Sequence, residues 1–77
     1  MDELKKYVIE KLEEASGIEN ITEDSALFEE EILNSLSILY LVGELETEYG
    51  IQIPLEDVVE ENFSNVNCIV AYLQEKL

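Results

Sequence analysis

The stretch Ile32-Leu33-Asn34-Ser35-Leu36-Ser37-Ile38 decides how this chain is read. A polar turn ends there and the longest apolar run of the chain begins. Asn34 suits a helix N-cap, because its side-chain oxygen accepts a hydrogen bond from a first-turn amide that has no partner inside the helix. Ser35 then falls in that first turn, beside free backbone N–H groups and the positive end of the helix dipole. A phosphate esterified to Ser35 would meet a ready anion site.

Working outward, Ser35 to Tyr49 reads as the strongest helix. Leu36, Leu39, Val42, Leu45 and Tyr49 form an inward stripe at helical spacing, widened by Ile38 and Leu41, with Glu44, Glu46 and Glu48 outward or flanking. Gly50 ends the helix where a left-handed residue is needed. Ile51-Gln52-Ile53-Pro54 is extended, as residues before proline prefer. Ile51 and Ile53 have strand-like spacing, but there is no second strand to pair with, so no sheet is expected. Pro54 opens a short helix from Leu55 to about Glu61, anchored by Val58 and Val59. Phe63 plugs the core. Ser64 or Asn65 caps a last helix from Val66 to about Lys76, with Val66, Ile69, Val70, Leu73 and Leu77 inward and Tyr72 at the border.

Upstream, Asp2 to Ala15 is expected to be a helix. Leu4, Val8, Leu12 and Ala15 share one face, Asp2 and Glu3 suit the first turn, and Gly17 stops it. Ile18 to Leu33 has no sustained period. It reads as a long loop with at most one helical turn, pinned by Leu27, Phe28, Ile32 and Leu33. Glu29-Glu30-Glu31 lacks the alternating oxygen ligands and the glycine of a calcium loop, so it reads as a solvated charge run and no metal site is assigned. The expected fold is all-α: a small bundle of three main helices plus one short helix, with a long loop between helices 1 and 2, in a single domain over residues 1–77.

Composition narrows the function. There is no histidine, which removes the commonest general base and metal ligand and excludes a Ser–His triad. Cys68 is the only cysteine, so an internal disulfide is impossible. It reads as a small packing residue, with no cation near it in sequence. The net charge is −15, and the four cations, Lys5, Lys6, Lys11 and Lys76, lie toward the ends. From Leu12 to Glu75 there is none. Nucleic acid and an anionic membrane surface are therefore not expected as ligands, and a basic protein partner is the natural counterpart. No apolar run approaches the ~20 residues of a membrane span, and the acidic start Met1-Asp2-Glu3-Leu4 is unlike a signal peptide. A cytoplasmic monomer is expected, self-repulsion disfavouring association.

The residues together resemble the acyl carrier protein family, the phosphopantetheine-binding carriers. The family's Asp-Ser-Leu at the start of its second helix is matched by Asn34-Ser35-Leu36. The helix from Ser37 through Leu41-Val42, Leu45-Glu46 and Glu48-Tyr49-Gly50-Ile51-Gln52-Ile53-Pro54 is similar to the family's "Leu-Val…Leu-Glu…Glu-Phe-Gly-Ile-x-Ile-Pro" pattern. Leu27-Phe28 before it, and Phe63, Val66, Ile69 and Tyr72-Leu73 after it, fall where members place their anchors. The Ile32-Leu33 pair resembles stand-alone carriers of aminoacyl groups, such as D-alanyl carriers, as much as fatty-acid carriers.

The resemblance implies a non-catalytic carrier. A phosphopantetheinyl transferase would move 4′-phosphopantetheine from coenzyme A to Ser35. The arm's thiol would hold an acyl or aminoacyl group as a thioester, in fatty acid or natural-product biosynthesis. A loading enzyme and a downstream acyltransferase or synthase would dock through basic patches. The implied docking residues are Asn34, Leu36, Ile38, Glu44, Glu48, Glu56 and Asp57. Ser37, the nearest competing hydroxyl, lies roughly 200° further round the helix and is not expected to share the site. Asn34 departs from the family: it caps as well as Asp but offers no negative charge to a transferase. Two other readings need no arm. One is an acidic helical inhibitor that mimics a charged ligand, and the other is an arm-less carrier-like scaffold on a basic partner.

Overall fold

A long acidic helix, α1, spans Asp2–Ser16, and α2 spans Ser35–Tyr49. A 3-10 turn, Leu55–Asp57, precedes the one-turn helix α3, Glu60–Phe63, and α4, Val66–Lys76, closes the bundle. The structure, a computed structural model, describes residues 2–77. Met1 and the side chain of Asp2, both part of the acidic start, lie outside the described residues.

Each long helix ends where local chemistry requires. Gly17 and Gly50 adopt φ of 75° and 63°, and their N–H groups return to Glu13 and Glu46 carbonyls. That left-handed turn costs a glycine nothing and any other residue about 1 kcal/mol or more. Asn65 caps α4 by accepting from the Cys68 amide at 2.9 Å. Ser64, the other capping candidate, instead sets its Oγ 3.3 Å from Cys68 Sγ.

The core is the shared apolar face of α1, α2 and α4. Val8, Leu12, Leu41, Leu45, Val66, Ile69 and Leu73 are fully buried around Phe63. Tyr7 meets Tyr49, and Lys11 meets Glu44, so α1 and α2 run antiparallel. The loop from Gly17 to Asn34 is ordered by its apolar residues. Leu27, Ile32, Leu33 and Ile21 are all buried, and Ile21 is an anchor the sequence pattern did not single out. One helical turn lies between Ala26 and Glu30. Glu31, at φ 60°, ends it, after which the Ile32 and Leu33 amides both donate to the Leu27 carbonyl. The Leu27 amide donates in turn to Ser64, tying the loop to the α3–α4 junction.

The all-α bundle of three main helices is as expected, and three local features differ. On α2 the buried residues are Ser37, Leu41, Val42 and Leu45, whereas Leu36 and Leu39 face out at 79% and 63% exposure. At about 100° per residue, Leu36 and Leu39 sit some 130° or more from the centre of that stripe. The expected short helix from Leu55 to about Glu61 is split in two. Val58 leaves helical geometry at ψ 74° and Val59 is extended, which suits two adjacent β-branched residues. Val58 still packs against the core, but Val59 is exposed. Leu77 also lies outside the core.

Candidate functional site

The start of α2 is held by a closed set of hydrogen bonds. Asn34 Oδ1 accepts from the Leu36 and Ser37 amides, both at 3.0 Å. Ser37 Oγ accepts from the Asn34 amide at 2.8 Å, which completes a capping box. The same Oγ donates to the Ile32 carbonyl at 2.8 Å. Ser37 is 2% exposed, so this hydroxyl is a structural fastener between the loop and the helix. Leu27, Ile32, Asn34 and Ser37 thus fix the backbone on both sides of Ser35.

Ser35 itself is exposed and its hydroxyl takes no part in the cap. Of the two serines, one is locked inside and one is presented. The first-turn amides, expected to be free, are largely committed: Leu36 and Ser37 donate to Asn34. The Ser35 amide and the helix dipole remain for an anion.

Beside Ser35 lies an open groove of about 310 Å³, lined by Ser35, Ile38, Leu39, Leu55 and Val58. The 3-10 turn after Pro54 forms its far wall. Apart from Ser35 every lining side chain is aliphatic. Periodicity had placed Leu39 in the core, so the groove could not be read from it. Leu55 and Val58 join the groove only because the chain bends back after Gly50.

The candidate docking residues separate into two groups. Leu36, Asn34, Glu48 and Glu56 are exposed, and Ile38 is half-buried against the groove. Glu44 is held by α1: Lys11 Nζ lies 3.3 Å from its carboxylate and 3.2 Å from that of Glu14. Tyr40 donates to the same Glu14 oxygen at 2.8 Å. The Tyr40 bond, with Lys11 beside it, lowers the Glu14 pKa, and the bond to Glu14 raises that of Tyr40. Asp57 is likewise engaged. It accepts from the Tyr72 hydroxyl at 2.6 Å and lies 3.7 Å from Lys76. Burial, then this bond to Asp57, pushes the Tyr72 phenol well above its usual range. Lys11 was not expected in the site, since ion pairs between distant segments leave no mark on a sequence pattern.

A family model described as "Phosphopantetheine attachment site" matches residues 3–73. The chain belongs to this family. Members hold 4′-phosphopantetheine covalently on a serine, and the arm carries an acyl or aminoacyl group as a thioester for partner enzymes to act on. The phosphopantetheine carrier is 35% identical over 75 residues to the D-alanyl carrier protein of Lactococcus lactis subsp. lactis, with 95% of each chain covered. It is 36% identical over 78 residues to the acyl carrier protein of Chloroherpeton thalassium, covering 99% of this chain and 95% of that one. In three dimensions it is similar to a chain in a crystal structure of an FAD-dependent dehydrogenase. There the TM-score is 0.74 at 27% identity, with 91% of this chain and 97% of that chain covered. The residues present fit the prosthetic group: a serine hydroxyl is exposed at a fixed helix start, with an apolar groove beside it.

Proposed function

We propose that Ser35 is the attachment serine, and that the arm on it presents an acyl or aminoacyl cargo to successive enzymes. The observation that supports this most strongly is the contrast between two serines two residues apart. Ser37 is buried with both its hydrogen-bonding capacities in use, and Ser35 is exposed with its hydroxyl outside the cap. A phosphopantetheinyl transferase transfers the arm from coenzyme A to the Ser35 oxygen. A loading enzyme then charges the thiol, and an acyltransferase or synthase takes the cargo. Tethering keeps the cargo at high effective concentration for each of them. This chain's own residues do no bond-making. Asn34 and Ser37 hold Ser35 in place, and the acidic surface steers basic partners. Glu48 and Glu56 are exposed for that purpose, whereas Glu44 and Asp57 are shared with internal partners.

Among the described residues no helix is long and apolar enough to cross a membrane. The protein is proposed to act in the cytoplasm as a monomer. The test is intact mass before and after incubation with coenzyme A and a broad-specificity phosphopantetheinyl transferase. A gain of one phosphopantetheine unit is expected, absent in Ser35→Ala and retained in Ser37→Ala. No gain in the wild type with several transferases would favour an arm-less scaffold or an acidic decoy.

A further inference from the structure

We infer that the hydrogen bond between Tyr72 and Asp57 is a latch: it fastens the strap of residues 54–62 to α4 and so sets the far wall of the groove beside Ser35. The latch follows from the geometry of the strap and does not depend on what Ser35 carries.

Buried residues fix the two ends of the strap, Ile53 before it and Phe63 after it. From Pro54 to Asn62 no residue is buried. Val58 packs against the core, but only in part. Holding a segment in one conformation costs entropy, which apolar burial normally offsets. Little burial is available here, so polar bonds have to keep the middle of the strap in place.

Asp57 supplies them. Its Oδ2 accepts from the Tyr72 hydroxyl at 2.6 Å, a length typical of strong hydrogen bonds to an ionised oxygen. Tyr72 is a firm post on α4, with its ring centroid 5.7 Å from that of the fully buried Phe63. Lys76, one turn further on, lies 3.7 Å from the same Asp57 oxygen. That pair is partly exposed and adds less than the Tyr72 bond. The Asp57 carbonyl accepts from the Asn62 side chain at 3.0 Å, which stiffens the strap internally without tying it to anything else. Leu55 and Val58, on either side of Asp57, line the groove opposite Ile38 and Leu39. A strap released at Asp57 carries both away from α2, so one bond outside the groove governs its width.

The experiment is amide hydrogen exchange by nuclear magnetic resonance on the full chain, comparing wild type, Tyr72→Phe, Asp57→Ala and the double variant. The reporters are the amides of residue 57 and Val58, which donate to the Pro54 and Leu55 carbonyls at 2.9 and 3.0 Å and close the 3-10 turn. The amides of Leu41 and Leu45, on the buried face of α2, report on opening of the whole fold. Protection at the two reporters, corrected for intrinsic rates, is expected to fall about ten-fold or more in each single variant, as loss of a hydrogen bond to a charged group implies. Protection at Leu41 and Leu45 is expected to stay within about two-fold of wild type, because the opening is local. The double variant is expected to match the weaker single, since both substitutions remove the same bond. Four results would each overturn the latch: reporters already unprotected in the wild type, reporters unchanged in the single variants, an equal fall at Leu41 and Leu45, or single effects that add in the double variant.

Discussion

At the scale of single residues, the two serines of α2 divide one task. Ser37 is the more consequential for stability. Its Oγ is the acceptor for the Asn34 amide and the donor to the Ile32 carbonyl, at 2.8 Å each, in a site that is 2% exposed. Ser37→Ala removes both bonds and leaves a backbone donor and acceptor without partners, which costs about 1–3 kcal/mol for each group that stays dry. Ser37→Ala is therefore expected to unfold at markedly lower urea concentration, by circular dichroism, than Ser35→Ala, whose hydroxyl is exposed. Coinciding curves would refute the fastening role. Asn34 poses a different question. Its oxygen already accepts two amides, so Asn34→Asp keeps the cap and adds a charge at the positive end of the helix. We expect stability to hold or rise by a few tenths of a kcal/mol, about what such a charge supplies. Arm transfer should be faster than in the wild type, because the family's usual carboxylate is restored. Equal transfer rates for the two proteins would show that the missing charge is immaterial.

At the scale of elements, α2 contains a paired test of backbone conformation. Gly50 has φ 63° and caps the helix, and Gly43 sits exposed in its middle; neither has an atom within 4 Å of where a Cβ would lie. Space is therefore the same at both sites and only the backbone differs. Gly43→Ala should stabilise by about 0.5–1 kcal/mol, the helix propensity gained. Gly50→Ala should destabilise by about 1 kcal/mol or more, since a left-handed residue then carries a Cβ. Opposite shifts in melting temperature are the expected result, and shifts of the same sign would rule out this account. The pair also shows why some of the fold was legible in advance. Asn34, Gly50, Gly17 and the limits of α2 and α4 were readable because caps and stops are local chemistry, settled within a turn. The inward face of α2 was not. Leu36, Ile38, Leu39, Leu41 and Val42 clothe the first half of that helix on nearly every side, so periodicity admits two stripes. The packing of α1 against α2 selects the one through Leu41 and Leu45. The groove beside Ser35 was illegible for the same reason, being built from residues the other stripe would have buried. The break at Val58 was missed because Pro54 signals a helix start but says nothing of its length.

At the scale of the whole molecule, Lys5, Lys11 and Lys76 tie elements together. Lys5 pairs with Glu23 and joins α1 to the long loop. Lys11 joins α1 to Glu44 on α2, and Lys76 joins α4 to Asp57 in the 3-10 turn. These pairs lie at the partly exposed surface, outside the apolar core, so the net charge of −15 does not burden the packed interior. The effect of salt on stability follows from comparing lengths. The molecule measures 27 × 26 × 21 Å. At 0.01 M ionic strength the screening length is about 30 Å, so every carboxylate repels every other; at 0.15 M it is about 8 Å, and only neighbours interact. The attractive pairs are at contact, between 3.2 and 3.7 Å for Lys11 and Lys76, where the same change in salt matters far less. Exposed pairs of this kind contribute about 0–1 kcal/mol in any case. With 19 acidic side chains against four lysines, the repulsion removed outweighs the attraction lost. Melting temperature should rise between 10 mM and 150 mM sodium chloride, by circular dichroism at constant pH. A flat or falling trend would mean that the lysine pairs, not the repulsion among carboxylates, set the electrostatic balance of the fold.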